Sequence, residues 1–293
     1  MTAALRKRGF DWLLNVWGLL ALIYLLLPIA VIIVFSFNNP RGRFNFIWQE
    51  FSLDAWTHPF AVQGVGDALR TSIEIAALST LIATALGTLT ALALVRYEFK
   101  GRSPVNFFIF IPLATPEVVL GAALLSQFLN WGTPALGFTT ILIAHVMFNL
   151  SFVVITVRSR LIGFDRSLEE AAQDLGATPW ETFRLVTLPL IMPGVLSAAL
   201  LAFALSIDDF VITNFNSGST ITFPLFIWGA ARVAIQPQIY VIATMIFLFT
   251  VAMMVLTVWQ QRRAEKLAAV RPDDTELAGP APPEPAYADR AAA

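Results

Sequence analysis

Residues 169–189, EEAAQDLGATPWETFRLVTLP, form the most polar helical passage in a chain otherwise dominated by apolar runs. Ser167-Leu168-Glu169-Glu170 matches a capping box and predicts a helix start, with Ser167 accepting from the amide near Glu170 and that glutamate reaching back. Leu168, Ala171, Ala172 and Leu175 share one helical face, and Gly176 stands where a left-handed terminator is expected. Thr178-Pro179-Trp180-Glu181 repeats the device, with Pro179 at the first helical position. The second helix then runs until Pro189 and Pro193, which mark entry into the next apolar run. The residues alone describe two short helices joined by a tight Gly-Ala turn; an ordinary amphipathic hairpin resting on a membrane surface fits them as well. A DNA-reading pair does not fit, because the passage is acidic and apolar runs flank it.

The surroundings of this passage belong in a bilayer. Of the 293 residues, 57% are hydrophobic and only 13% charged, and the mean hydropathy is +0.71, outside the soluble range. About six runs are long enough to cross as helices: 12–37, 68–95, 105–129, 139–157, 191–212 and 239–259. The first follows Arg6-Lys7-Arg8, but its apolar stretch is too long for a signal peptide and no small-residue cleavage site follows it. Arg and Lys cluster at alternate ends of the runs: Arg96, Lys100 and Arg102; Arg158, Arg160, Arg166 and Arg184; Arg262, Arg263 and Lys266. By the positive-inside rule the 169–189 passage and both termini face the cytoplasm. The opposite segment 38–67 holds Trp48, Phe51 and Trp56 and predicts a structured interfacial cover. The division expected is 1–66 for the first span and outer segment, 67–261 for the main membrane domain with a cytoplasmic loop at 158–190, and 262–293 for a Pro-rich tail unable to pack a core.

Chemistry-bearing residues are few. The absence of cysteine excludes disulfides and thiolate metal sites, and two separated histidines make no metal site. A net charge of -1 argues against nucleic acid as a partner. No Gly-x-x-x-x-Gly-Lys-Ser/Thr phosphate loop occurs, and no cofactor is expected in this chain. Ionisable groups at membrane depth are functional candidates. Asp208 and Asp209 fall inside the fifth run, about 100° apart on a helix, so at least one should line a cavity; a helix end with both acids in outer water is the alternative. Glu117 follows Pro116 near the middle of the third run; it is either part of the same pathway or a buried acid bonded to a freed backbone group. His145 and Asn149 share a face of the fourth run and suggest helix–helix hydrogen bonding.

Glu170-Ala171-Ala172, Gly176 and Val186-Thr187-Leu188-Pro189, at their spacing, resemble the EAA signature of ABC importer permeases, with Val186 in place of isoleucine. The resemblance implies an all-α membrane protein of the type I importer permease fold, about six transmembrane helices with a cytoplasmic coupling hairpin. It implies that Glu170, Ala171, Ala172, Gly176, Leu188 and Pro189 couple the chain to a separate ATPase. It also implies ATP and magnesium in a pair of partner ATPase subunits, a second permease subunit, an extracytoplasmic solute-binding protein and a bacterial inner-membrane location. The strings around Pro112, Pro116-Glu117 and Asp208-Asp209 resemble permeases of spermidine/putrescine importers, and carboxylates suit a polycation. An importer of another small solute, a gradient-driven transporter using Glu117 and Asp208 as ion sites, and a membrane scaffold are the alternatives.

Overall fold

The computed structural model describes residues 2–132, 134–163 and 165–269, nearly all of them helical. In chain order the helices are α1 (Thr2–Phe35), α2 (Asp54–Thr57), α3 (Val65–Arg96), α4 (Arg102–Ala114), α5 (Glu117–Trp131), α6 (Phe138–Ile162) and α7 (Ser167–Asp174). They continue with α8 (Pro179–Thr182), a π-helical turn (Phe183–Thr187), α9 (Leu188–Asp208), α10 (Val211–Asn216), α11 (Phe223–Val233) and α12 (Pro237–Ala269). Two compact units are present, 2–36 with 240–269, and Phe37–Ile239. The Pro-rich segment 270–293 lies outside the described residues, and α12 carries the chain through 262 to Ala269.

In the first unit, the Trp12–Phe35 part of α1 has no buried residue and a mean hydropathy of 2.9. Such a helix keeps its backbone groups satisfied internally and presents apolar side chains all round, which is what lipid requires.

The second unit is a bundle of α3, α4, α6 and α9. Lipid supplies no hydrophobic drive between helices, so close approach through small residues matters most. On α3, Ala76, Ala83, Gly87 and Ala91 are buried; a side chain on Gly87 would meet Val153 Cγ1 at 2.5 Å. Ala83, Ala91 and Leu94 pack there with Val153, Val157 and Leu161 of α6 and Ile191, Ala198 and Ala202 of α9. A second cluster joins Leu120, Leu124 and Phe128 of α5 to Ala144 and Phe148 of α6 and Ile212 of α10.

Two of the predicted runs take a different course. The third is not a single straight crossing: α4 and α5 meet at a bend of 112°. Pro116 excludes its predecessor from the helical region, and Thr115 is extended at φ −89°, ψ 130°. The fifth begins earlier and ends sooner than expected. Pro189 and Pro193 do not break it; α8, the π turn and α9 form one apolar rod, Pro179–Asp208, and the π turn that ends at Thr187 supplies the slack that the missing N–H and the ring of Pro189 demand.

The segment after α1 is ordered around Asn38, only 2% exposed. Asn38 donates to Asn45 Oδ1 (2.6 Å) and the Ile47 carbonyl (2.8 Å) and accepts from the Gln49 amide (2.7 Å). Phe37 stacks on Phe51 and Trp56 at 5.7 and 5.1 Å. These contacts explain why a strandless outer segment holds a shape.

Candidate functional site

The hairpin is built as the sequence suggested at its centre but not at its start. Gly176 adopts φ +90°; its N–H donates to the Gln173 carbonyl (2.9 Å) and that of Ala177 to the Ala172 carbonyl (3.0 Å), closing α7 through a left-handed residue. At the second limb the capping box forms: the Thr178 N–H donates to Glu181 Oε2 (2.8 Å), and the Glu181 N–H to Thr178 Oγ1 (3.3 Å). The first predicted box does not form. Ser167 is the first helical residue, Arg166 precedes it without a side-chain cap, and the Ser167 N–H donates instead to Asp165 Oδ1 (3.0 Å). That bond holds the Asp165 carboxyl below the usual carboxylate range.

Glu170, Ala171 and Gly176 are exposed, Ala172 and Leu188 half-buried, and Pro189 exposed. Leu175, Trp180 and Leu185 are among the exposed apolar side chains of the hairpin, at 90%, 67% and 70% exposure. α7 buries no residue of its own. The residue of α7 that engages the bundle is the one beside Glu170. Glu169 is half-buried and receives both Arg96 guanidinium nitrogens, Nη2 to Oε1 at 2.6 Å and Nη1 to Oε2, together with the Thr187 hydroxyl at Oε1. Consecutive helical residues point about 100° apart, so one glutamate faces in while the next faces out. The signal was present only as a doubled acid.

At the other end of the rod α9 stops at Asp208, and Asp209 is extended at φ −64°, ψ 117°. The predicted continuous helix through Ile212 is therefore interrupted at the acid pair. Asp209 explains the interruption: its Oδ2 accepts from the Thr213 amide and hydroxyl, both at 2.8 Å, and its Oδ1 from the Ile212 amide at 3.4 Å, satisfying the first free donors of α10. Its side chain is 6% exposed. His145 Nε2 lies 3.2 Å from the same carboxylate and 2.9 Å from Thr213 Oγ1, while Nδ1 is 2.7 Å from Ser206 Oγ. Ser79 continues the chain at 2.9 Å from Ser206. One buried polar network thus ties α3, α6, α9 and α10, with His145 bonding between helices as its position suggested. Asn149, one turn away and fully buried, has no hydrogen-bond partner for either side-chain polar atom among the described residues.

Asp208 is exposed. Beside it in sequence, Phe210 packs on Trp228 of α11 with ring centres 5.0 Å apart, and the Arg232 guanidinium lies 4.7 Å above the Trp228 ring. That ring therefore already presents its face to a cation. Glu117 is exposed at the first position of α5, after the bend rather than inside a straight span, where a carboxylate favours the positive end of the helix dipole. Gly121, one turn further, lets Phe215 and the Ile212 backbone approach. This brings the helix of Glu117 against the helix that Asp209 caps. Among the described residues no group of three or more His, Asp or Glu side chains could hold a metal ion.

Residues 83–266 match the family described as binding-protein-dependent transport system inner membrane component. The spermidine/putrescine transport system permease protein PotC of Haemophilus influenzae is 36% identical over 247 residues, covering 84% of this chain and 95% of that protein. The putrescine transport system permease protein PotI of Escherichia coli is 38% identical over 256 residues, covering 85% and 90%. A chain of a bacterial ABC transporter involved in the import of the acidic polysaccharide alginate shares the fold, with a TM-score of 0.60 over 89% of this chain and 98% of that one at 18% identity. With the hairpin, the α-helical bundle and these similarities in agreement, the chain belongs to the family of binding-protein-dependent transport system inner membrane components, the permeases of ABC importers.

Proposed function

We propose that the chain is a membrane-spanning permease subunit of an ATP-driven importer that moves polyamines, spermidine or putrescine, across a bacterial inner membrane. The observation that carries the mechanism is the uninterrupted rod Pro179–Asp208, about 45 Å long at the helical rise per residue. It joins the second limb of the hairpin at one end to the acid pair at the other. The names of the relatives support the substrate class. So does the chemistry of the far end, where an exposed carboxylate stands at a helix C-terminus, the end that favours cations.

In this reading both termini and the hairpin are cytoplasmic, and residues 67–261 carry transport. Glu170, Ala171, Ala172 and Gly176 meet the surface of one of two ATPase subunits, while Leu188 and Pro189 lie where the hairpin passes into the span. Magnesium-ATP is bound and hydrolysed there, not in this chain. A second permease completes the pathway, and an extracytoplasmic binding protein delivers cargo to it. Asp208, Asp209 and Glu117 make that pathway anionic. Closure of the ATPases moves the hairpin and, through the rod, switches access; such coupling requires that the two states differ in contact energy.

The test is reconstitution of the whole importer with its binding protein in proteoliposomes. Spermidine or putrescine is expected to stimulate ATP hydrolysis and to compete with each other for uptake. Stimulation by an unrelated solute with none by either polyamine overturns the substrate; uptake abolished by collapsing ion gradients while ATP persists overturns the ATP-driven reading.

A further inference from the structure

We propose that Arg96, Glu169 and Thr187 form a clamp through which motion of the ATPase-facing limb reaches the bundle, acting as positioning residues for energy coupling. The proposal rests on the reading of the hairpin as a coupling element and goes beyond it by naming the mechanical connection. α7, which carries the exposed Glu170-Ala171-Ala172, buries none of its residues. Apolar packing therefore holds this limb only weakly. Its hold on the bundle is polar: the Glu169 carboxylate takes both guanidinium nitrogens of Arg96 in the last turn of α3 and the hydroxyl of Thr187 in the π turn. Arg166, at the entry to α7, adds a bond to the Val95 carbonyl (3.3 Å) in that same turn of α3.

The clamp is sheltered enough to be firm. Arg96 and Glu169 side chains are only 16% and 15% exposed, and Thr187 is 3% exposed, so water competes weakly for these groups. The paired fork of an arginine on a carboxylate also fixes orientation, not just distance. Beside the clamp lies a groove of about 460 Å³, lined among others by Leu92, Tyr97, Trp180 and Phe183. Across that gap, the polar connection is what keeps α7 in step with α3. Glu169 joins two mechanical partners at once, α3 directly and the Pro179–Asp208 rod through Thr187. The doubled acid then has divided roles: Glu170 outward to the ATPase, Glu169 inward to the spans.

The experiment uses the complete reconstituted importer and compares Glu169→Gln, Arg96→Gln, Thr187→Val and the exchanged pair Arg96→Glu with Glu169→Arg. Uptake per ATP hydrolysed is expected to fall about tenfold in the first two, the range of ordinary coupling energies, while the ATPase subunits still co-purify. The exchanged pair is expected to recover most of the loss, which assigns the loss to the ion pair and not to either side chain alone. Because the chain contains no cysteine, Leu89→Cys with Asp174→Cys places one spin label on α3 and one on α7, with the unlabelled complex as background. Their separation is expected to stay constant between resting and ATP-trapped parent complexes and to broaden in Glu169→Gln. Parent uptake per ATP in Glu169→Gln, or a parent label separation that shifts on trapping ATP, overturns the clamp. Should Glu169→Gln fail to assemble, Arg96→Gln, which breaks the same fork from the other side, decides in the same way. Glu170→Ala separates the two levels: parent coupling there defeats the coupling reading itself, whereas its loss beside parent coupling in Glu169→Gln defeats the clamp alone.

Discussion

Adjacent acids do different work at both ends of this molecule. Asp209 is committed to His145, Thr213 and the first amides of α10, whereas Asp208 is exposed. Asp209→Asn is expected to lower stability by about 1–3 kcal/mol, since an amide cannot accept all of these bonds and leaves buried donors unmet; a thermal unfolding shift in detergent checks it. His145→Ala should act in the same direction through Ser206 and Thr213. Asp208→Asn is expected to leave the melting temperature unchanged and to weaken polyamine uptake, read as a raised KM. Unchanged uptake would remove Asp208 from the pathway. At Gly176 the space beyond the missing side chain is open, but φ is +90°. A β-branched replacement there is expected to strain the turn by about 1–2 kcal/mol and to uncouple transport, while Gly176→Asn should retain most activity because asparagine tolerates left-handed backbone. That neighbouring acids diverge was legible in the chain, but which of them points inward was not, because a pair of acids has one spelling either way.

At the scale of the element, the decisive feature is that the second limb of the hairpin and the span form one rod. The capping pattern at Thr178 and the Gly176 terminator were readable because both are local, made within a few residues of backbone. The continuity past Pro189 was not, since a proline ordinarily ends or kinks a helix and no local pattern marks the π turn that precedes this one. The bend before Glu117 has the opposite history: Pro116 announced a weak point, but its 112° turn depends on α5 lying against α6 and α10. Gly87→Leu tests the close approach of α3 to α6. Its side chain would collide with Val153, and an overpacking loss of about 1–3 kcal/mol or more should appear as reduced yield and thermal stability of the assembled importer. Gly229→Ala, where nothing lies within 4 Å, serves as the matched control.

For the whole molecule, orientation is the property on which the transport direction depends. Asp174→Cys is expected to react with a membrane-impermeant thiol reagent only in inverted vesicles, and Gly42→Cys only in right-side-out preparations; the reverse pattern would invert the importer reading. The sequence by itself determined that this is a helical membrane protein, where the apolar runs lie and where a polar hairpin interrupts them, because lipid forces every span into a backbone-satisfied helix and capping chemistry is local. Tertiary structure alone decided which acids are free, how the fifth run joins the hairpin, and that Arg96 meets Glu169 across 73 positions of chain. Those outcomes depend on which helices become neighbours, and no local pattern of residues carries that information.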